Sequence, residues 1–186
     1  MINQSIFISA GDPSGDIAAG RLVSALCDRM TGIQCFGLGG PRLAALGQEQ
    51  LAGGKELAVM GFWEVARRFR FFQQLMEKTA AEIAARKPKV IVLVDYPGFN
   101  LRLAARVKHL GIPIVYYIAP QVWAWGKGRV ADIRKLVDRM LVILPFEQKF
   151  FTDHGIPADF VGHYLLEDID PAMIGSPPPR NGRVAL

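Results

Sequence analysis

The sequence holds only two cysteines in 186 residues, and Cys27 and Cys35 stand eight positions apart with neither CxxC nor zinc-site spacing. That excludes a disulfide scaffold and a cysteine-held metal, and reads as two reduced core thiols in a cytoplasmic protein. No run reaches the roughly 18 apolar residues that a membrane span needs. The longest candidate, 112–125, is interrupted by Pro113, Pro120 and Gln121. The opening MINQSIFISAGD has no basic region ahead of its short apolar stretch, so it does not read as a secretory signal. The expectation is a soluble or peripheral protein. A GxGxxG motif after the first strand-like run and an acid closing the second are both missing, which removes the dinucleotide-dependent dehydrogenases. There is no internal repeat, low-complexity tract or block of like charge. The net charge of +5 is modest and its basic residues are dispersed. Nucleic-acid binding is therefore poorly supported, while phosphates or an acidic membrane face remain suitable partners.

What is present is a globular composition, 51% hydrophobic and 21% charged, long enough for one domain with the stub of another. Strand-like apolar runs fall at 5–9, 33–38, 90–94, 114–118 and 140–144, with a short sixth at 159–161. Helical patterns fill 16–30, 71–86, 100–110, 130–137 and 146–154. Asp16 stands where a helix cap would, Gly111 and Gly155 follow helices, and Pro88 stops one. The alternation predicts an α/β fold, a doubly wound, mostly parallel, Rossmann-like sheet with helices on both faces. It should occupy residues 1–166. Residues 167–186, with Pro177, Pro178, Pro179, Gly175 and Gly182, read as a linker leading into the first residues of another strand.

Ligands of an open parallel sheet gather at the carboxyl ends of its strands. Three such ends are rich in polar residues and glycine. The first is AGDPSGD at 10–16. Gly11 and Gly15 let a ligand approach the backbone, Ser14 adds a hydroxyl, and a helix beginning at Asp16 would offer N–H groups. Asp12 and Asp16 would repel a pyrophosphate and suit sugar hydroxyls; the alternative is a turn with a helix cap and no ligand. The second is VDYPGFN at 94–100. A carboxylate at the end of a central strand faces the crevice, so Asp95 is the candidate general base, with Asn100 near it; alternatively Asp95 organises the turn. The third is APQVWAWGKGR at 119–129, where Gln121, Trp123 and Trp125 precede Lys127 and Arg129. Flat apolar faces beside cations fit a sugar ring or acyl chain next to a phosphate.

One further segment, 62–72, interleaves five large aromatics with three arginines. Met60, Phe62, Trp63, Arg67, Arg68, Phe69, Arg70, Phe71 and Phe72 would suit an amphipathic element lying in a lipid interface. An ordinary helix whose arginine stems cover apolar surface is the other reading.

Taken together these stretches resemble the lipid-A-disaccharide synthases. The matching segments are AGDPSGD at 10–16, GLGGPRL at 37–43, ELAVMGFWEV at 56–65, VDYPGFNLRLA at 94–104, APQVWAW at 119–125, LPFEQKFF at 144–151 and FVGHYL at 160–165. The resemblance implies the first, acceptor-side lobe of a two-lobed GT-B glycosyltransferase. Such an enzyme transfers 2,3-diacylglucosamine from its UDP derivative to 2,3-diacylglucosamine 1-phosphate, releasing UDP with inversion and without a metal or other cofactor. Implied partners are the lipid-linked sugars, a second lobe and the cytoplasmic face of the inner membrane of Gram-negative bacteria. By the same resemblance Asp95 would be the base, the 10–16 loop would line the crevice, Lys127 or Arg129 would meet the acceptor phosphate, and His163 would be a polar group at the hinge. Departures from the family pattern are Asp12 for a usual Glu, Gly98 for a frequent Asp, and Tyr164 for a common Pro. A sugar-nucleotide epimerase, another GT-B transferase, or a lipid-binding remnant share the same first-lobe layout.

Overall fold

Val90–Val94 (β4) is apolar at every position and Ser5–Ala10 (β1) at all but its two serines, and they lie side by side at the centre of a seven-stranded sheet. Around them run Gln34–Leu38 (β2), Glu49–Ala52 (β3), Ile114–Tyr117 (β5), Arg139–Val142 (β6) and Ala158–Phe160 (β7). The order is β3-β2-β1-β4-β5-β6-β7 and every pairing is parallel. The computed structural model describes residues 5–52, 69–125 and 127–170.

Alternate residues of each strand serve opposite faces. Phe7, Ile91 and Leu93 pack into one layer with α3 (Phe69–Arg86), α4 (Pro97–Val107), α6 (Val130–Leu136) and α7 (Pro145–Asp153). Ile8, Val92 and Val94 pack into the other with α1 (Pro13–Arg29) and α2 (Pro41–Ala45). Right-handed crossovers demand this division: the chain steps outward from β1 to β3 on one side, returns through α3, and steps outward again from β4 to β7. Gly37 makes the β1–β2 contact possible. Its φ is +144°, and a Cβ there would stand 2.0 Å from the carbonyl oxygen of Ile8.

The expected doubly wound sheet is present, with three additions. β3 reads EQLA, four residues at the sheet edge with no β-branched side chain, so nothing in its composition marks a strand. α2 and α5 (Val122–Trp125) are five and four residues long, too short to display a helical period. α1 begins at Pro13 rather than Asp16, because Asp12 is the cap and proline is pre-set for the first helical position. Of the two thiols, Cys35 is buried, and burial, with Cys27 nearby, pushes it up to about 11. Cys27 is exposed on α1 and is not part of the core, which corrects that expectation.

Beyond β7 the chain turns at Gly162 and enters a short 3-10 turn, Tyr164–Asp168. Arg21 of α1 grips this strap. Its guanidinium donates to the Tyr164 carbonyl at 2.5 Å, to Glu167 at 3.2 Å and to both oxygens of Asp168 at 2.6 and 2.5 Å. Contacts with α1 thus reach as far as Asp168. The proposed linker from 171 onward lies outside the described residues.

Candidate active site at the switch point

Strand order reverses direction between β1 and β4, and the crevice beyond the carboxyl ends of two such strands is where open α/β sheets bind ligands. Here β1 runs into Gly11 and Asp12, and β4 into Asp95 and Tyr96. Two carboxylates therefore meet at that point.

Asp12 caps α1. Its Oδ1 accepts from the Gly15 N–H at 2.6 Å and from the Ser14 hydroxyl at 2.7 Å. Ser14 and Gly15 are thus engaged in shaping the loop, and the Gly15 N–H is not an open donor. Asp16 is 4% exposed and points away from the crevice chemistry altogether. It accepts from the backbone N–H groups of Gly40, Arg42 and Leu43 at 2.9, 2.9 and 3.2 Å, fastening the start of α2. The expectation that Asp12 and Asp16 form a pair of sugar acceptors is corrected on that ground. Only Asp12 stands at the crevice.

Asp95 is half-buried at the end of β4, with φ +46°, and Tyr96 follows with φ +49° and ψ +54°. Two consecutive left-handed residues other than glycine cost roughly 1–3 kcal/mol each. Burial raises the Asp95 carboxyl above the ordinary aspartate range, the Asp12 charge raises it further, and the Tyr96 N–H opposes both. The Tyr96 ring lies across Gly11, whose added Cβ would fall 2.3 Å from the ring carbon Cδ1. Burial and then the Asp12 charge also push the Tyr96 phenol up. Asn100 sits beneath the loop with no exposure at all. Its Nδ2 donates to the carbonyls of Asp95 at 2.8 Å and Val94 at 3.1 Å, and its Oδ1 accepts from Ser9 at 2.7 Å. As a substrate contact Asn100 is corrected: every polar atom of its side chain is turned into the fold.

The third strand end contributes a wall. Gln121 is exposed, and Trp123 is half-buried in α5 with its indole N–H donating to Glu147 at 3.1 Å and its ring edge-on to Phe146 at 5.0 Å between centroids. Glu147, 2% exposed, also accepts from the Leu144 N–H at 3.2 Å, so it ties the start of α7 to the tryptophan. Trp125 closes α5. Arg129 is exposed at the end of the Lys127–Arg129 turn. His163 precedes the strap, stacks on Tyr164 at 5.0 Å, and its Nδ1 accepts from the Leu165 N–H at 3.3 Å.

Of the aromatic and arginine segment, Met60, Phe62, Trp63, Arg67 and Arg68 lie outside the described residues, as does the side chain of Phe69. Phe71 and Phe72 open α3, meet edge to face at 5.8 Å and pack against the core. Both rings are half-buried, so one side of each serves the fold. Arg70 is exposed. Ser9, Tyr116, Glu147 and Arg21 were not expected from the sequence as site-building residues. Glu147 alone carried a legible signal, an acid at the third position of a helix that begins with proline. Among the described residues, no three His, Cys, Asp or Glu side chains gather at metal-binding distance.

A family model described as lipid-A-disaccharide synthetase matches residues 6–174. The chain belongs to this family. It is 48% identical over 164 residues to the lipid-A-disaccharide synthase of Myxococcus xanthus, covering 88% of this chain and 43% of that protein. Against the synthase of Coxiella burnetii it is 37% identical over 173 residues, covering 93% and 46%. The chain thus spans less than half the length of the curated relatives it matches. Among solved structures it superposes on the Neisseria meningitidis UDP-GlcNAc 2-epimerase with a TM-score of 0.59 at 10% identity, covering 91% of this chain and 50% of that one. On Glycyrrhiza uralensis UGT73P12 the TM-score is 0.58 at 12% identity, covering 89% and 50%. At such identities the likeness is one of fold: a Rossmann-like lobe of the kind found at the N-terminus of GT-B proteins.

Proposed function

We propose that this lobe supplies the acceptor side of a lipid-A-disaccharide synthase. The reaction is transfer of 2,3-diacylglucosamine from its UDP derivative to the 6-hydroxyl of 2,3-diacylglucosamine 1-phosphate. Asp95 is the general base. The acceptor hydroxyl gives it a proton, the oxygen bonds to the anomeric carbon of the donor, and the bond from that carbon to the UDP oxygen breaks on the opposite side. One displacement inverts the centre and needs no covalent enzyme intermediate. The observation that carries this reading is the half-buried Asp95 at the switch point, its proton affinity raised by burial and by Asp12. A base held above the ordinary aspartate range accepts a hydroxyl proton more readily.

Asp12 and Ser14 edge the sugar pocket. Gln121 and Trp123 form its wall, with Arg129 toward the acceptor phosphate and His163 toward the second lobe. The UDP-binding groups belong to that second lobe, and UDP-sugar is a substrate; no metal or other cofactor is required. Residues 60–72 meet acyl chains and the cytoplasmic surface of the inner membrane. Among the described residues no helix is long and apolar enough to cross a membrane. The test is Asp95→Asn in a two-lobed protein carrying this lobe. We expect kcat to fall by about 10²–10⁴ with KM little changed. In the parent protein, activity should rise with pH through the raised midpoint of Asp95 and then level off. Undiminished turnover by Asp95→Asn removes Asp95 as the base.

A further inference from the structure

We propose that Tyr116 is a positioning residue for the candidate base, acting with Asn100 through the backbone carbonyl of Asp95 to hold the left-handed turn that aims its carboxylate into the crevice. The inference rests on reading Asp95 as the base, but its own content is geometric. Tyr116 rises from β5, the strand beside β4, and its ring is wholly buried. Its hydroxyl donates to the Asp95 carbonyl at 2.6 Å, and Asn100 Nδ2 donates to the same oxygen at 2.8 Å. Both lone pairs of that carbonyl are thereby engaged.

Asn100 is held in turn by β1. The Ser9 hydroxyl donates to Oδ1 at 2.7 Å, which fixes that atom as the acceptor and leaves Nδ2 to face the carbonyls. Ser9, Asn100 and Tyr116 are all unexposed; side chains from α4 and β5 meet on one peptide group, and Ser9 of β1 holds the first of them from behind. A left-handed residue other than glycine persists only where its surroundings over-determine it. Here the peptide that joins two such residues, Asp95 and Tyr96, is the one being held. A relaxed turn would let the carboxylate swing toward solvent and away from Asp12. Burial and the charges of Asp95 and Asp12 also keep the Tyr116 phenol protonated, as its donor role requires.

The experiment uses the 186-residue chain, labelled with ¹³C, and no substrate. The Asp95 and Tyr96 Cα shifts report the left-handed backbone, and the Asp95 Cγ shift reports its titration. The titratable groups facing that carboxyl are Asp12, Tyr96 and Tyr116. In Tyr116→Phe, which removes one oxygen and keeps the ring, the Cα shifts should leave left-handed values. The Asp95 midpoint should drop toward that of ordinary aspartate. Ser9→Ala should move both in the same direction by less. If folded Tyr116→Phe keeps both the Cα shifts and the midpoint while merely unfolding at lower denaturant, the hydroxyl is a packing feature and the proposal is overturned. Should Tyr116→Phe not fold, unchanged shifts in Ser9→Ala overturn it instead. Because neither readout uses turnover, full activity of Asp95→Asn would sink the base assignment and leave this result standing on its own.

Discussion

Gly11 and Gly37 illustrate how single atoms fix the site. At Gly11 the obstacle to a Cβ is the Tyr96 ring, which can tilt; at Gly37 it is the Ile8 carbonyl of a central strand, which cannot move without the sheet. Gly11→Ala should therefore cost about 1–2 kcal/mol, and Gly37→Ala 3 kcal/mol or more, by denaturant midpoint with an unchanged m-value. Asp95 makes the opposite contribution. Its folded-state proton affinity is raised, so the fold loses stability as pH climbs from about 3.9, the unfolded value, through the folded midpoint. Asp95→Asn should accordingly raise the melting temperature at pH 7 by on the order of a few degrees, and the gain should vanish below about pH 4. A mutation that stabilises the chain while sharply lowering turnover in the two-lobed protein is the expected signature of a residue kept for chemistry.

Among the elements, α2 depends on α1 through one carboxylate. Five residues do not make a stable helix by themselves, and Asp16 supplies the acceptor for three N–H groups at its start. Asp16→Ala leaves those donors buried and unpaired, and should cost about 3 kcal/mol; Asp16→Asn, which keeps one acceptor oxygen, should recover about half of that in the same unfolding measurement. The strap from Tyr164 to Asp168 is a different case. Arg21 holds it by exposed ion pairs, with the Tyr164 ring beneath the guanidinium at 5.9 Å. Such pairs contribute little to global stability. Arg21→Ala should leave the unfolding midpoint nearly unchanged yet accelerate amide exchange and proteolytic nicking at 163–169, because only the local opening is relieved.

At the scale of the whole molecule, the lobe places the half-buried Asp95 carboxyl, the capped 10–16 loop and Trp123 at strand ends along one edge of the sheet. The groups proposed to stabilise the UDP leaving group are not among them. The 186-residue polypeptide by itself should release no UDP above background when given both lipid substrates, as a coupled assay would read. The parallel sheet, its two helical layers and the strand-end position of Asp95 were legible in the sequence. Unbroken apolar runs such as Val90–Val94 have few other uses, and the alternation with helices leaves few topologies open. Polar residues near those ends were less legible, because proximity in sequence does not say which way a side chain turns. Asp16 and Asn100 both stand within motifs that mark the site, and both turned inward, since buried backbone N–H and C=O groups of α2 and of the Asp95 turn required partners. Only the folded chain brought Asn100 and Tyr116 to one peptide, Ser9 to Asn100, and Arg21 to a strap more than 140 residues away. Periodicity and punctuation carry the layers of a fold; contacts between distant segments exist only once those layers have packed.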